Sequence, residues 1–472
     1  MKTPAHSSLL TTHSFKTMTI NIPDTTKPRI VIVGMGFGGL TLARELARRD
    51  VQLVLFDKNN YHQFQPLFYQ VATAGLEPSS ISFPLRKSFQ TCKNVYIRIA
   101  EVTKVSPQNN TLTTSLGELH YDHLVVAMGA DTNYFGNQTF KNTSWPMKSV
   151  GEALALRNHL LENFEKALVA EDTDTRLGLL NIVVVGGGPT GVELSGTLAE
   201  MRAHVLPRDY PELDFTGMKV YLVESGAELL GPMSKEAQEK SKQYLEELGV
   251  TVLLNTKVTD YDGKSVVLSD GSKLRTDNFV WAAGVKANFI DGLVPPEGMA
   301  RGGRLKVDRF NRVEGFQNVY ALGDMAAMVE GETFPGGHPQ LAQPALQQGK
   351  LLAKNLLRQF RGQPMQEFKY KDLGSMATVG RNLAVVDLPF WSFGGFFAWL
   401  TWMFVHLFSI VGVKNRLLIF INWFWNYVTY DQSLRLIIRA KPPRAEMPAE
   451  QKKAQEGQGS ASPVAVGTVA AG

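Results

Sequence analysis

Cysteine is nearly missing: Cys92 is the only one in 472 residues. The chain therefore holds no internal disulfide, no Cys-x-x-Cys metal site and no dithiol for redox chemistry. As an ordinary thiol, Cys92 fits an intracellular compartment. A strong charge bias is missing too. Lysine plus arginine number 49 and aspartate plus glutamate 44, and the formal surplus of +5 is spread along the chain. That gives no footprint for nucleic acid, and the one basic cluster (Arg435, Arg439, Lys441, Arg444) beside an apolar stretch suits anionic lipid better. Residues 1–28 lack periodicity and an apolar core of signal-peptide length, and read as a flexible extension. Residues 442–472 are Pro, Ala, Gly, Glu and Lys, and read as a disordered tail.

What the chain does contain is an order of signals met twice. RIVIV at 29–33 runs into Gly34-Met-Gly36-Phe-Gly-Gly39 and a helical pattern; NIVVV at 181–185 runs into Gly186-Gly-Gly188-Pro-Thr-Gly191 and another. Each is followed by an apolar strand ending in an acid, QLVLFD at Asp57 and KVYLVE at Glu224, and later by a strand ending in glycine, HLVVAMG at Gly129 and NFVWAAG at Gly284. A supersecondary sequence repeated in this way implies two copies of one nucleotide-binding unit, an α/β fold with two Rossmann-like domains. Segments 95–120 and 251–276 read as β-meanders. Residues 305–324 return as strands ending in VYALGD, so the first domain is interrupted by the second and resumes near residue 290.

A lone G-x-G-x-x-G says little, but each copy here directly follows a strand and opens a helix. The first glycine makes the turn, the second lets backbone approach a pyrophosphate, and the third packs helix on strand, while the helix N-terminus offers free N–H groups. Asp57 stands where an acid accepts adenosine ribose hydroxyls, and Glu224 does so in the second unit, beyond an apparent insertion at 204–217. An acid at 224 repels a 2′-phosphate and favours NADH over NADPH. Two adenine dinucleotides on one chain imply electron transfer between a nicotinamide and a held flavin, FAD. Gly323-Asp324 and the helix beginning at Ala342-Gln343-Pro344 fit the flavin side, since a helix N-terminus favours an anionic ring. The expected FAD contacts are Gly34, Gly36, Gly39, Asp57, Lys58, Gln65, Ala127, Gly129, Asp324, Ala342 and Gln343. Those for NADH are Gly186, Gly188, Gly191, Glu193, Glu224, Ala283 and Gly284. No metal site is read.

With these motifs the chain resembles the type II (alternative) NADH dehydrogenases, single-subunit NADH:quinone oxidoreductases of the two-dinucleotide flavoprotein group that includes glutathione reductase. The more specific features are NNYHQFQPLFYQVATAGL at 59–76, AQPALQQGK at 342–350 and the aromatic C-terminal segment; the likeness spans roughly 29–439. Disulfide reductases and sulfide-oxidising quinone reductases need cysteines that are absent here. The resemblance implies that electrons leave to a membrane quinone without proton pumping, at the cytoplasmic face of the inner membrane, from a peripheral homodimer. It places Gln343 and Gln347 beside the quinone, and Glu193 near flavin and nicotinamide on a proton route. A surface carboxylate at a helix start is the plainer reading of Glu193, and helix propensity is the plainer reading of the glutamines. Domains follow as 29–150 plus 290–389 for FAD, 151–289 for NADH and 390–441 for membrane anchoring.

The last segment carries Asn422, Asn426, Thr429 and Ser433 as a polar stripe among aromatics, the pattern of a helix lying in the membrane plane. Residues 394–413 are uncharged and long enough for a single span as the alternative. His406 within them reads as a satisfied or interfacial histidine. Two other functions stay open at this point: a soluble flavin reductase feeding a small protein carrier, and a non-catalytic flavin-stabilised protein.

Overall fold

In the computed structural model, residues 19–430 and 434–438 are described. Two parallel sheets position the site, each grown from the same local signal. β1 (Arg29–Val33) is almost wholly buried, as expected of a β-branched run in a parallel sheet covered on both faces. After a glycine turn come α1 (Phe37–Leu46), β2 (Gln52–Asp57), the short α2 (Phe68–Ala72), β3 (Val95–Ile99) and β4 (His123–Val126). Ser149 and Glu152 cap each other's backbone at the start of α3 (Val150–Leu168), which leads to the second unit. That unit contains β5 (Ile182–Val185), α4 (Pro189–His204), β6 (Val220–Val223), β7 (Val250–Leu253) and β8 (Asn278–Trp281).

The two sheets have the same order, β4-β1-β2-β3 and β8-β5-β6-β7, with every pair parallel. The first gains a fifth strand, β9 (Val319–Ala321), beside β4. The chain thus leaves the first unit, builds the second and returns. The segments read as meanders are each divided: residues 102–120 and 258–275 form three-stranded antiparallel sheets, while β3 and β7 ahead of them join the parallel sheets. The same departure occurs in both copies because the edge of each parallel sheet offers a longer ladder than a short meander does.

α5 (Ala342–Phe360) crosses α1 closely, since a Cβ on Gly349 would lie 2.6 Å from the Gly38 carbonyl oxygen. This contact aims the start of α5 at the first glycine turn. Beyond it, β10 (Ser375–Gly380), β11 (Leu383–Leu388) and β12 (Trp391–Gly394) form an antiparallel sheet. It rests on α4 at Gly196, where any side chain would collide with the Val379 carbonyl. Then come α6 (Phe396–Ser409) and α7 (Val413–Thr429), separated by extended Ile410 and by Gly412 at φ +94°. The described residues to Leu436 make one compact unit.

Three expectations change. The single span at 394–413 is not formed: α6 has 14 residues, a rise of about 21 Å against a hydrocarbon core of about 30 Å. No helix among the described residues is long and apolar enough to cross a membrane. The polar stripe of α7 faces the protein, with Asn426 reaching the Gly75 carbonyl at 3.4 Å, while Phe420, Ile421, Phe424, Trp425 and Val428 are exposed. The described part of the N-terminal extension is tied down: Ile20 is buried, and Gln52 and Arg29 donate to the Pro23 carbonyl at 2.9 and 3.1 Å. Of the basic cluster, Arg435 bonds Asp209 at 3.0 Å. Arg439, Lys441, Arg444, Ser433 and the tail at 442–472 lie outside the described residues.

Candidate active site

The two glycine turns are built alike. Gly34 (φ +95°) and Gly186 (φ +114°) adopt a backbone that side chains resist, with the Ala127 and Ala282 carbonyls where a Cβ would fall. Gly39 and Gly191 pack on the carbonyls of Gly34 and Gly186 so closely that a Cβ would lie 1.9 Å away. The middle glycines, Gly36 and Gly188, have open space where a side chain would be. They also begin α1 and α4 with no side-chain cap, which leaves first-turn N–H groups free for an anion. Each strand-end acid completes its own turn: Asp57 accepts from Met35 N–H at 2.7 Å, and Glu224 from Gly187 N–H at 2.6 Å.

Nearly all the residues expected on the flavin side meet in one cleft of about 1250 Å³: Gly34, Gly36, Asp57, Lys58, Gln65, Ala127, Gly129, Asp324 and Ala342. Gly39 stands behind it as packing. Asp57 and Asp324 are both pushed up by burial; Asn59 and Met35 N–H groups oppose this at Asp57, and Lys148 and Arg304 at Asp324. Open space over Gly36, an uncapped helix start and acids at both ends of the cleft fit an adenine dinucleotide. Lys148, which also lines the cleft, had no distinguishing mark in the sequence beyond the Ser149–Glu152 cap signature next to it.

A second cleft of about 1030 Å³ contains Gly186, Glu224 and Ala283. Glu224 also accepts from Gly226 N–H at 2.6 Å and Ser225 Oγ at 3.1 Å. Gly188, Gly191, Glu193 and Gly284 do not line this cleft. Gly284 (φ +95°) lies beneath the exposed ring of Phe135, itself at φ +50° and part of the cleft wall. An aromatic between two turn residues gave no reason to single out Phe135 beforehand.

Glu193 turns away from the second cleft into the interior. It is 7% exposed, so the surface-carboxylate reading fails. Burial pushes its carboxyl up to about 8, against the opposing influence of the Thr378 N–H and the Trp402 indole. Thr378, Trp402 and the fully buried Tyr69 border a third cavity of about 840 Å³ beneath α6 and α7. Its wall takes Gln70 from α2 and Thr73 just past its end, Thr197 and Glu200 from α4, Arg381 from the β10–β11 turn, and Trp399, Trp423 and Tyr427 from the aromatic helices. Trp423 Nε1 donates to Gln70 Oε1 at 2.8 Å, and Gln70 Nε2 donates to Tyr69 Oη at 2.8 Å.

Aromatic contacts connect the first cleft with this cavity. Phe37, in the cleft wall, meets Phe64 edge-on at 5.8 Å; Phe64 meets His406 at 6.2 Å; His406 stacks on Trp402 at 4.2 Å. His406 Nδ1 bonds the Trp402 carbonyl at 2.8 Å, and burial lowers the imidazole to about 4, so the ring is neutral.

Gln343 and Gln347 line neither the flavin-side cleft nor the aromatic cavity. Their amides donate to the carbonyls of Gly374 and Lys371, each at 2.8 Å, and their oxygens accept from Leu373 and Lys371 N–H at 3.1 Å. They hold the segment leading into β10. The third glutamine of that motif, Gln348, is buried and accepts from Gly323 N–H at 2.8 Å, which fixes the turn carrying Asp324. Adjacent glutamines on a helix point to different faces, and only the packing of α5 on α1 tells which is which.

Known proteins match this arrangement. Residues 28–349 match the family described as pyridine nucleotide-disulphide oxidoreductase, and 373–429 the family described as NDH2 C-terminal domain. The chain is 35% identical over 455 residues to the type II NADH:quinone oxidoreductase Ndh of Mycobacterium tuberculosis, covering 92% of this chain and 96% of that protein. It is 29% identical to the type II NADH:quinone oxidoreductase of Haemophilus influenzae, covering 76% and 86% respectively. The solved structure of NDH2 from Plasmodium falciparum in complex with NADH superposes with a TM-score of 0.78 at 22% identity, over 88% of this chain and all of that one. The sulfide:quinone oxidoreductase of Aquifex aeolicus shares the fold at TM-score 0.62 and 17% identity, over 91% and 95%. Fold, glycine turns and C-terminal sheet with its aromatic helices agree with the sequence relatives: the chain belongs to the type II NADH:quinone oxidoreductases.

Proposed function

We infer that this chain oxidises NADH and passes two electrons, by way of FAD, to a membrane quinone. The observation that carries this is one continuous path: two glycine-turn clefts on one chain, and an aromatic bridge from the first to a cavity under an apolar surface. Electrons have no thiol route, since Cys92 is the single cysteine and lies outside these sites. FAD, when bound, takes a hydride from nicotinamide and yields its electron pair to a quinone.

The residues of the chain bind, orient and exclude water. The free N–H groups at the starts of α1 and α4 hold the two pyrophosphates. Asp57 and Glu224 take the riboses, and the Glu224 carboxylate repels a 2′-phosphate and so selects NADH. Gln348 keeps Asp324 at the flavin, and Gln343 and Gln347 brace the strand entry beside it, each with a second amide hydrogen left for an acceptor. The quinone ring enters the cavity at Tyr69, Gln70 and Trp402, whose aromatic walls shed water. Glu193, protonated near neutrality, holds a proton behind Tyr69.

The exposed apolar faces of α6 and α7 support peripheral attachment to a bilayer without crossing it. We infer the cytoplasmic face of an inner membrane as the attached side, since the NADH cleft then opens to the compartment that supplies NADH. We carry over the homodimer as well, and a two-chain mass in sedimentation tests it. Turnover settles the main reading: NADH oxidation should be fast with a short-chain quinone and slow with a small redox protein. The reverse preference would favour the soluble reductase.

A further inference from the structure

The reaction NADH + H⁺ + quinone → NAD⁺ + quinol takes one proton from solvent in each turnover, and the cavity has a second carboxylate placed to receive it. Glu200 lies seven residues beyond Glu193 on α4, with Thr197 between them, so all three share one face of the helix. Thr197 and Glu200 line the cavity. Thr197 Oγ1 donates to the Glu193 carbonyl at 2.8 Å and turns its lone pairs outward. Glu200 is mostly covered yet keeps some exposure, whereas Glu193 is buried. Seven residues of helix separate the acids by about 10 Å, too far for direct transfer. Tyr69 shares the cavity wall with Glu200: its hydroxyl feels both carboxylates, and it accepts from Gln70 Nε2, so its own hydrogen remains for an acceptor. The polar wall at Thr73, Thr197, Thr378 and Asn426 suits water in the rest.

Resting on the function inferred above, we propose that Glu200 is the proton-entry residue of the quinone cavity, passing the solvent proton along this face of α4, through Tyr69 and cavity water, toward Glu193. The groups facing Glu200 from the surrounding elements favour that role. From the β10–β11 turn, Arg381 N–H donates to its Oε1 at 2.5 Å, while the Arg381 guanidinium is drawn off to the rings of Tyr427 and Tyr430 at 4.2 and 3.9 Å. Glu200 is therefore not locked in an ion pair. From α2 comes neutral Tyr69; from α4 itself, the His204 ring lies tilted against Tyr430 at 4.5 Å. Burial raises Glu200 to about 7, with Arg381 opposing, so the acid gains and loses its proton near neutral pH.

The test separates the two half-reactions of the flavin-loaded, full-length enzyme by stopped flow. Flavin reduction by NADH consumes no proton at this cavity and checks that each variant is intact. Reoxidation by a short-chain quinone should slow about 10- to 100-fold in Glu200→Gln and lose the decline that the parent shows as pH rises through about 7. Glu200→Asp should recover part of the rate with a shifted midpoint. A Gln variant reoxidised at the parental rate with the parental pH profile overturns the proposal. If that variant holds no flavin, the Asp variant decides, and an unchanged midpoint overturns it. A parent that is reduced by NADH yet never reoxidised by quinone would instead refute the inferred function.

Discussion

Both oxygens of Asp57 and of Glu224 accept backbone N–H groups, from Met35 and Asn59 and from Gly187 and Gly226, which fixes each carboxylate in the wall of its cleft. Losing Glu224 removes charge-assisted hydrogen bonds worth about 1.5–3 kcal/mol. Glu224→Ala should therefore raise the KM for NADH about 10- to 100-fold, narrow the gap to NADPH and leave the flavin bound; steady-state kinetics with both nucleotides check this. Glu193 gives a separate residue-scale prediction. Its carboxyl stands at about 8 in the fold against an ordinary 4.5, so the folded chain holds this proton more tightly than the unfolded chain. The resulting stability is complete below about 4.5 and is lost as pH climbs to about 8, on the order of a few kcal/mol. Glu193→Gln should remove that contribution, seen as a melting temperature that falls less steeply than the parent's between about pH 5 and pH 8, the part owed to Glu200 remaining.

Among the elements, α1 and α7 make the clearest demands. The start of α1 is open because Gly36 has no side chain, yet its backbone (φ −69°) suits other residues. Gly36→Val should fold and keep its secondary structure while losing flavin, read as visible absorbance per chain against circular dichroism; retained colour would remove the pyrophosphate from this turn. α7 turns its asparagines to the protein and its large apolar side chains outward, the reverse of a water-soluble helix. Phe404 on α6 and Phe424 on α7 are 63% and 62% exposed. Burying such a ring in lipid contributes about 1.5–3 kcal/mol. Replacing both by Asp should weaken binding to anionic vesicles by about 100-fold or more, while NADH-dependent flavin reduction continues; flotation assays measure it. The apolar faces themselves were legible from the sequence, because helical periodicity is local. Which stripe faces inward was not, because Gly75 and Ser82, the backbone partners of Asn426 and Asn415, are more than three hundred residues away.

At the scale of the molecule, the same distinction separates what could be read from what could not. Strand, glycine turn, helix and strand-end acid are neighbours in the chain, so both dinucleotide units were legible at Gly34, Asp57, Gly186 and Glu224. The aromatic cavity is assembled from α2, α4, the β10–β11 turn, α6 and α7, and no local pattern marks Tyr69, Glu200 or Arg381 as parts of one wall. Gln343 and Gln347 were legible as a motif but not as braces, since their partners at 371–374 come near only when β10 settles on Gly196. The central claim is that electrons entering at the second glycine turn leave through the aromatic cavity. Its most direct test is an anaerobic titration of the purified, yellow protein. Equimolar NADH should bleach the flavin band, and a short-chain quinone should restore it with an equal yield of quinol. A colourless protein, or a bleached band that quinone leaves unrestored, would contradict it.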